Sequence, residues 1–145
     1  MIRAAGVAEA AQVLADLQAL AQEMGDPFRA DLAQVAAGLA SGAIRAELAE
    51  QGLALWSPFL STTRGAMGAY VSDLWVGPAA RGQGLGARLL ASVRDRAAAE
   101  FGAVFLRLAV YEDNAGARLF YDRLGFCPKP EEIWLTLEGK ELAAL

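Results

Sequence analysis

The chain has 145 residues, of which 55% are hydrophobic and 21% are charged. This composition is typical of one globular domain with a continuous core and excludes a disordered chain. The net charge of −4 and the scattered basic residues argue against nucleic acid as the main partner. There is no histidine and one cysteine, Cys127, which excludes Ser-His-Asp and Cys-His catalysis, an internal disulfide and the usual zinc ligand sets.

The N-terminal half of the sequence predicts a strand, two helices and a hairpin. Residues 1–4 predict a short edge strand. Apolar residues at helical spacing predict a helix over residues 8–24, which ends at Gly25. A second helix is predicted over residues 28–39, and residues 44–49 and 53–56 predict a hairpin. The Pro, Ser, Thr and Gly content of residues 57–68 predicts a loop.

The C-terminal half predicts more strands, with helices between them. Residues 70–76 predict the strongest strand, because aromatic and β-branched residues are frequent there. A helix over residues 84–101 and a second central strand over residues 103–110 follow. A helix over residues 115–124, strands at 126–127 and 133–137 and a short terminal helix complete the chain. The order predicts one α+β domain over residues 1–145, with a central mixed, mostly antiparallel sheet flanked by helices.

A glycine-rich turn joins the strand ending at Val76 to the following helix. Gly82, Gly84 and Gly86 stand at alternate positions, where glycine permits positive φ and close approach of a ligand. The unpaired N–H groups and the dipole of a helix start favour an anion such as a pyrophosphate, to which Arg81 can add a charge-assisted bond. The alternative is a connection whose glycines only permit tight packing.

Two other phosphate-binding loops fit this turn less well. The spacing of Gly82, Gly84 and Ala87 matches the dinucleotide-binding fingerprint, but five residues separate Val76 from Gly82. The region near 105–108 offers Arg107 instead of the expected acidic residue. A P-loop is excluded because no Gly-Lys-Ser/Thr follows.

Two motifs resemble the GNAT superfamily of acetyl-CoA-dependent N-acetyltransferases. Arg81-x-x-Gly84-x-Gly86, after a strand ending in Leu-x-Val, resembles the acetyl-CoA motif. The run from Asn114 to Phe126 resembles the family's Asn-x-x-Ala-x-x-Phe-Tyr-x-x-x-Gly-Phe helix. Both motifs occur in the family's order with a predicted strand between them, and the match covers about residues 70–126. The resemblance implies a GNAT-type fold with acetyl-CoA as co-substrate and no metal.

Within the superfamily, residues 60–65 and 70–76 resemble the diamine and polyamine acetyltransferase branch. The sequence departs from that branch at one position that matters for catalysis. The branch carries Glu-Asp before Leu-x-Val, whereas this chain has Ser72-Asp73. The carboxylate commonly proposed as general base is therefore missing. Ser72 can order a water, and Asp73 either binds the substrate ammonium, accepts a proton through water or caps the nearby turn.

The resemblance also implies roles for individual residues. Tyr121 would protonate the departing thiolate, and Asp73 is the remaining catalytic carboxylate. Asn114 would bond the pantetheine region, with Ala117 and Phe120 packed beside it. Backbone groups near the end of the strand would face the pantetheine arm and the acetyl carbonyl, namely those of Leu74, Trp75 and Val76. The pyrophosphate would be held by Arg81, Gly82, Gln83, Gly84, Leu85, Gly86, Ala87 and Arg88.

The expected activity is direct transfer of an acetyl group to a primary amine of a small diamine, polyamine or amino-acid-like molecule. No covalent nucleophile is evident in the sequence. A non-catalytic acyl-CoA-binding sensor is one alternative, because the usual base is missing. An acetyltransferase acting on protein N-termini or charged tRNA is another. We expect a cytoplasmic protein without membrane or nucleic-acid partners, and the sequence leaves a homodimer open.

Overall fold

The computed structural model describes residues 1–145, which divide into two units, Met1–Ala109 and Val110–Leu145. The first unit contains a five-stranded sheet in the order β1-β2-β3-β4-β5. Its strands are β1 (Arg3–Ala4), β2 (Arg45–Ala49), β3 (Gly52–Ser61), β4 (Ala66–Val76) and β5 (Leu106–Arg107). The first four strands pair antiparallel, and β5 pairs parallel to β4. The predicted mixed, mostly antiparallel sheet is confirmed.

Helices cover both faces of this sheet. The first unit contains α1 (Ala10–Met24), α2 (Leu32–Ser41) and α3 (Leu85–Phe101). Helices α1 and α2 pack on one face, where Val13, Leu17 and Val35 form a core with Leu53 and Leu55 of β3. Helix α3 packs on the other face against β2, β3 and β4. The predicted α+β architecture of a sheet flanked by helices is therefore confirmed.

A buried charge network fastens α3 to β2 and β3. The Glu47 side chain is 2% exposed. Its oxygens accept hydrogen bonds from Trp56 Nε1 at 3.2 Å, Ser92 Oγ at 3.0 Å and an Arg96 guanidinium nitrogen at 3.0 Å. Arg96 also pairs with Glu100 at 2.9 Å. All partners of this buried carboxylate come from the chain itself, so we assign the cluster a structural role.

An irregularity interrupts the alternation of side chains along β4. Residues directly opposite each other in an antiparallel pair share a face. Asp73 lies opposite Leu55, and Tyr70 lies opposite Ser57. Between them, Val71 lies opposite Trp56, so Ser72 has no partner and is the extra residue of a β-bulge. Strict alternation would put Tyr70 and Asp73 on opposite faces of the sheet, and the bulge breaks that alternation. The bulge places both on the face that α1 covers.

The structure corrects several predicted boundaries. The loop predicted over residues 57–68 is wrong, because β3 and β4 extend through most of it and leave only a turn around residues 62–65. Cross-strand pairing of ten residues of β3 overrides the local turn propensity of that segment. The strand predicted over residues 103–110 is reduced to β5, at the edge of the sheet. The second helix begins at Leu32 rather than Phe28, since Asp31 caps it.

The second unit contains α4 (Ala115–Leu124) and α5 (Gly139–Ala143). Asn114 caps α4, and Gly125 ends it with a φ of 93°. Both helices agree with the sequence, whereas the strands predicted at residues 126–127 and 133–137 are not formed. A short run of apolar residues forms a strand only if a neighbouring strand supplies the hydrogen bonds for its backbone. None of the helices has both the length and the apolar character that a bilayer span requires.

Candidate active site

The turn between β4 and α3 is braced by hydrogen bonds and opens the helix with a left-handed glycine. The Gly77 N–H donates to the Gln51 carbonyl at 2.8 Å, and a short 3-10 turn over Pro78–Ala80 follows. Gly82 and Gly84 both have a φ of 75°, which L-residues with a side chain rarely adopt. Gly84 is the N-cap of α3 and has no side chain to cap it. The first N–H groups of α3 are therefore left for another acceptor.

The space around these two glycines is open. A Cβ at Gly82 would meet nothing within 4 Å, and one at Gly84 would meet only the Arg88 guanidinium at 3.6 Å. By contrast, a Cβ at Gly52 or Gly77 would collide with Leu85 or Gln51. Tight internal packing therefore does not explain Gly82 and Gly84. Their backbone conformation and the room beside it fit an anionic ligand that approaches the main chain.

Three polar side chains of the turn bind its own carbonyl groups. Arg81 Nε donates to the Val76 carbonyl at 3.0 Å, Gln83 Nε2 to the Ala79 carbonyl at 3.2 Å, and Arg88 to the Gln83 carbonyl at 2.8 Å. Arg81 also pairs with Glu23 of α1 at 2.6 Å. These side chains hold the turn in shape. The main-chain N–H groups are then the donor set that an anion would meet first.

The other residues predicted at the helix start occupy its first turn. Leu85 is buried and contacts the sheet beside Gly52, while Gly86 and Ala87 are half-buried. Leu85 therefore anchors the helix with its side chain. Its backbone N–H, like those of Gly86 and Ala87, belongs to the group of unpaired donors at a helix start.

The C-terminal end of β4 carries the residues predicted to face the acetyl group. Strand β5 pairs with β4 only at Ala69 and Tyr70. The backbone of β4 from Asp73 to Val76 thus has no strand partner on its β5 side. The side chains of Leu74, Trp75 and Val76 are half-buried. This unpaired strand edge supplies N–H and C=O groups that an extended ligand can bond.

Asp73 lies at this end of β4, on the α1 side of the sheet, next to the bulge. Burial raises the pKa of its carboxyl group, and a hydrogen bond from Ser72 lowers it to a lesser extent. Ser72 Oγ also lies 3.4 Å from the Leu55 carbonyl. A carboxylate with a raised pKa is a stronger proton acceptor than an exposed aspartate. Asp73 thus has the chemistry of a base or of an ammonium ligand.

Helix α1 adds two acidic residues on the side of the sheet that it covers. Glu23 accepts a hydrogen bond from Trp75 Nε1 at 3.3 Å besides its ion pair with Arg81. Asp16, one of the most buried polar residues, is 4% exposed. It is not among the predicted site residues. The sequence gives only a weak indication of Asp16. It is an acidic residue on the apolar face of a predicted helix, and it precedes Glu23 by seven residues, a spacing that returns to the same face.

The remaining predicted residues lie in the second unit. Asn114 Oδ1 accepts a hydrogen bond from the Ala117 N–H at 3.2 Å and so caps α4. The ring of Tyr121 packs edge-on against Phe120 at 5.2 Å and against Phe126 at 5.5 Å between centroids. Burial raises the pKa of the Tyr121 hydroxyl, which keeps it protonated at neutral pH. A protonated phenol can serve as a proton donor.

Comparison with known proteins matches this arrangement to one family. The model of the acetyltransferase (GNAT) family matches residues 17–126. The chain belongs to the GNAT family. Its predicted membership, and the prediction of an acetyl-CoA-dependent acyltransferase, are confirmed at the level of the family. GNAT enzymes use acetyl-CoA as co-substrate, and the uncapped start of α3 with open space at Gly82 and Gly84 fits its pyrophosphate.

Individual GNAT relatives differ in what they act on. A curated relative, blasticidin-S acetyltransferase of Streptomyces morookaense, is 40% identical over 57 residues, which are 39% of this chain and 40% of that protein. Ribosomal-protein-alanine N-acetyltransferase of Brucella melitensis biovar Abortus 2308 is 18% identical, with a TM-score of 0.76 over 94% of this chain and 99% of that one. An aminoglycoside acetyltransferase from an uncultured soil metagenomic sample, solved with sisomicin, is 15% identical, with a TM-score of 0.78 over 95% and 96%. These two structures establish the shared fold.

Proposed function

We propose that this chain transfers the acetyl group of acetyl-CoA to a primary amine of a small cationic molecule, of the diamine or polyamine class. The observation that carries the proposal is the position of Asp73. This half-buried carboxylate lies on the α1 side of β4, four residues before Gly77, where the glycine turn begins. A cationic amine is the acceptor that such a carboxylate would attract and deprotonate.

In this proposal the chain holds the co-substrate mainly with main-chain groups. The N–H groups from Gly82 to Ala87 bind the pyrophosphate, and the side chains of Arg81, Gln83 and Arg88 keep the turn in its binding shape. Backbone groups of Leu74, Trp75 and Val76 bond the pantetheine arm and polarise the acetyl carbonyl. Bound acetyl-CoA supplies the activated acetyl group as a thioester. Asn114, Ala117 and Phe120 stay assigned to the pantetheine region by the family resemblance.

Proton transfer is assigned to the two catalytic residues predicted from the sequence. Asp73 takes a proton from the acceptor ammonium, directly or through a water held by Ser72. The free amine then forms the C–N bond while the C–S bond breaks, and Tyr121 gives its proton to the departing sulfur. The nitrogen then loses its second proton, which returns through solvent to the Tyr121 phenolate, and Asp73 releases its proton to solvent. The bond changes thus balance without a covalent enzyme adduct. In this scheme the base is Asp73, one residue after Ser72, which stands where the diamine branch has its glutamate.

A steady-state assay with purified protein tests the proposal. Acetyl-CoA is combined with a panel of monoamines, diamines, polyamines, amino acids and an N-terminal peptide, and release of free CoA thiol is measured. Mass spectrometry should show acetylated diamine, with kcat/KM at least 10-fold higher for diamines than for the peptide. Higher turnover on the peptide would contradict the small-molecule assignment. Tight CoA binding without acetylation of any acceptor would instead indicate a sensor.

A further inference from the structure

Asp16 is a buried carboxylate that the proposed chemistry does not yet use. It lies in the second turn of α1, on the helix face that also carries Val13 and Leu17. Aspartate is rarely buried to this extent unless it has partners. Asp16 has one: Gln12 Nε2 donates to its Oδ1 at 2.7 Å. Its Oδ2 is buried and has no hydrogen-bond partner in the chain.

An unpartnered buried carboxylate oxygen is costly to the folded protein. Burial raises the pKa of Asp16, and the bond from Gln12 lowers it to a lesser extent. A group that serves stability alone would be expected to have all its acceptors satisfied, as those of Glu47 are. The Oδ2 atom of Asp16 thus has an unused acceptor position that a donor from outside the chain can fill. A cationic donor would form the strongest hydrogen bond with this carboxylate oxygen.

Helix packing and cross-strand pairing together place Asp16 and Asp73 on the same side of the sheet. Val13 and Leu17, which flank Asp16 in the helix, pack in the core that contains Leu55. Leu55 is the cross-strand partner of Asp73. Helix α1 packs directly on β4. Buried Asp16 and half-buried Asp73 thus face the layer between α1 and the sheet, one from each element.

Glu23 joins the C-terminal end of α1 to the end of β4. Its contacts with Trp75 and Arg81 bring the last turns of α1 to the C-terminal end of β4. Asp16 precedes Glu23 by seven residues, about 10 Å along the helix axis, whereas Asp73 precedes Trp75 by two residues, about 7 Å along the strand. Along their own elements, Asp16 and Asp73 thus lie at similar distances from the point where Glu23 contacts Trp75 and Arg81.

We propose that Asp16 binds a second ammonium group of the acceptor, while Asp73 faces the amine that is acetylated. This inference rests on the proposed function and narrows its substrate class to molecules with two cationic nitrogens a few bonds apart. Asp16 is a specificity residue in this scheme. It accepts a hydrogen bond through Oδ2 and takes part in no bond change. Gln12 holds its other oxygen and so fixes the direction of Oδ2.

The test compares two acceptors that differ only in the second ammonium group, 1,4-diaminobutane and butylamine. In the wild type we expect a lower KM for the diamine. The Asp16→Asn variant keeps size and the acceptor for Gln12 but removes the charge. Its KM for the diamine should rise about 10- to 100-fold, the usual effect of one lost charge-assisted hydrogen bond. Its KM values for butylamine and acetyl-CoA should stay within twofold of the wild type.

Asp31→Asn is the matched control. Asp31 is exposed, and its Oδ1 caps α2 by accepting from the Gln34 N–H at 2.8 Å. Asparagine is an equally good N-cap, so this variant also loses one negative charge but keeps the fold. The ratio of its KM for 1,4-diaminobutane to its KM for butylamine should equal the ratio in the wild type. An equal rise in diamine KM in both variants would mean that net charge is the cause, and would overturn the role of Asp16.

Protein stability supplies a second readout. The free Asp16→Asn variant should still unfold cooperatively, because it exchanges the cost of an unpaired buried charge for that of an unpaired buried amide. The increase in melting temperature that the diamine causes with CoA bound should disappear. If the variant does not fold, Gln12→Leu replaces it, and we expect about a threefold rise in diamine KM.

The outcomes separate this inference from the proposed function. Normal diamine selectivity in Asp16→Asn would overturn the inference and leave the acetyltransferase assignment intact. A wild type that acetylates no amine, yet shows a diamine-induced melting shift that Asp16→Asn loses, would support the site and contradict the activity. A wild type with neither turnover nor a diamine-induced shift would overturn both.

Discussion

Among single residues, Asp73 shows how a local irregularity changes what a side chain can do. A regular strand would point it away from Tyr70. The bulge at Ser72 brings both to the α1 side, and bulges commonly re-aim side chains next to active sites. Asp73 becomes half-buried and its pKa rises. The chain can thus lack the usual glutamate and still offer a carboxylate on this side of β4.

The Asp73→Asn variant tests that role. We expect kcat/KM for the best amine to fall at least 100-fold, the lower range for loss of an acid–base group. In the wild type the ionised form is required, so kcat/KM should rise with pH as Asp73 loses its proton. Since burial raises its pKa, this limb should lie above the range of an exposed aspartate. The limb should vanish in the variant, and an unchanged pH profile would contradict the assignment.

At the scale of elements, the start and the end of α3 form a natural pair for comparison. Gly84 begins the helix and Gly102 ends it, with φ values of 75° and 66°. A Cβ has room at both positions. A substitution therefore carries a similar backbone cost at each end, roughly 1 kcal/mol. Only the N-terminal end presents unpaired N–H groups.

Comparing Gly84→Asp with Gly102→Asp separates binding from folding. Calorimetric titration with CoA should show that Gly84→Asp loses at least 100-fold in affinity, because a carboxylate then lies where the pyrophosphate is proposed to bind. Gly102→Asp should bind CoA within about threefold of the wild type. Urea unfolding of both variants provides the stability comparison. Full affinity in Gly84→Asp would refute the assignment of the turn.

The contact of α3 with β2 depends on Glu47. Removing the Glu47 carboxylate leaves the buried Trp56 and Ser92 donors without their acceptor and Arg96 with Glu100 as its remaining ion-pair partner. We expect Glu47→Ala to lower the free energy of unfolding by about 3 kcal/mol, measured by urea denaturation. Glu50→Ala, at an exposed position in the β2–β3 turn, should change it by less than about 0.5 kcal/mol. An equal change in the free energy of unfolding in both variants would mean that the buried Glu47 cluster does not stabilise the fold.

For the whole molecule, the sequence predicted what local patterns encode. The end of α1 at Gly25, the bounds of α3 and α4 and the two motifs were predicted from residue order, because each depends on neighbours in the chain. The Asp31 cap of α2 was missed. The extent of β3 and β4 could not, since cross-strand pairing overrode the Pro, Ser and Gly of residues 57–68. Asp16 was missed because burial depends on what α1 packs against, and that information is not local.

The three tryptophans differ in environment, and this gives the molecule an optical reporter. Trp56 is fully buried against Phe101, and Trp134 is 75% exposed in the second unit. Trp75 is half-buried, and its indole nitrogen is bonded to the carboxylate that also holds Arg81. Anything that displaces Arg81 changes the charge beside that indole. Intrinsic emission therefore offers a label-free view of the glycine turn, with Trp75 as the sensing ring.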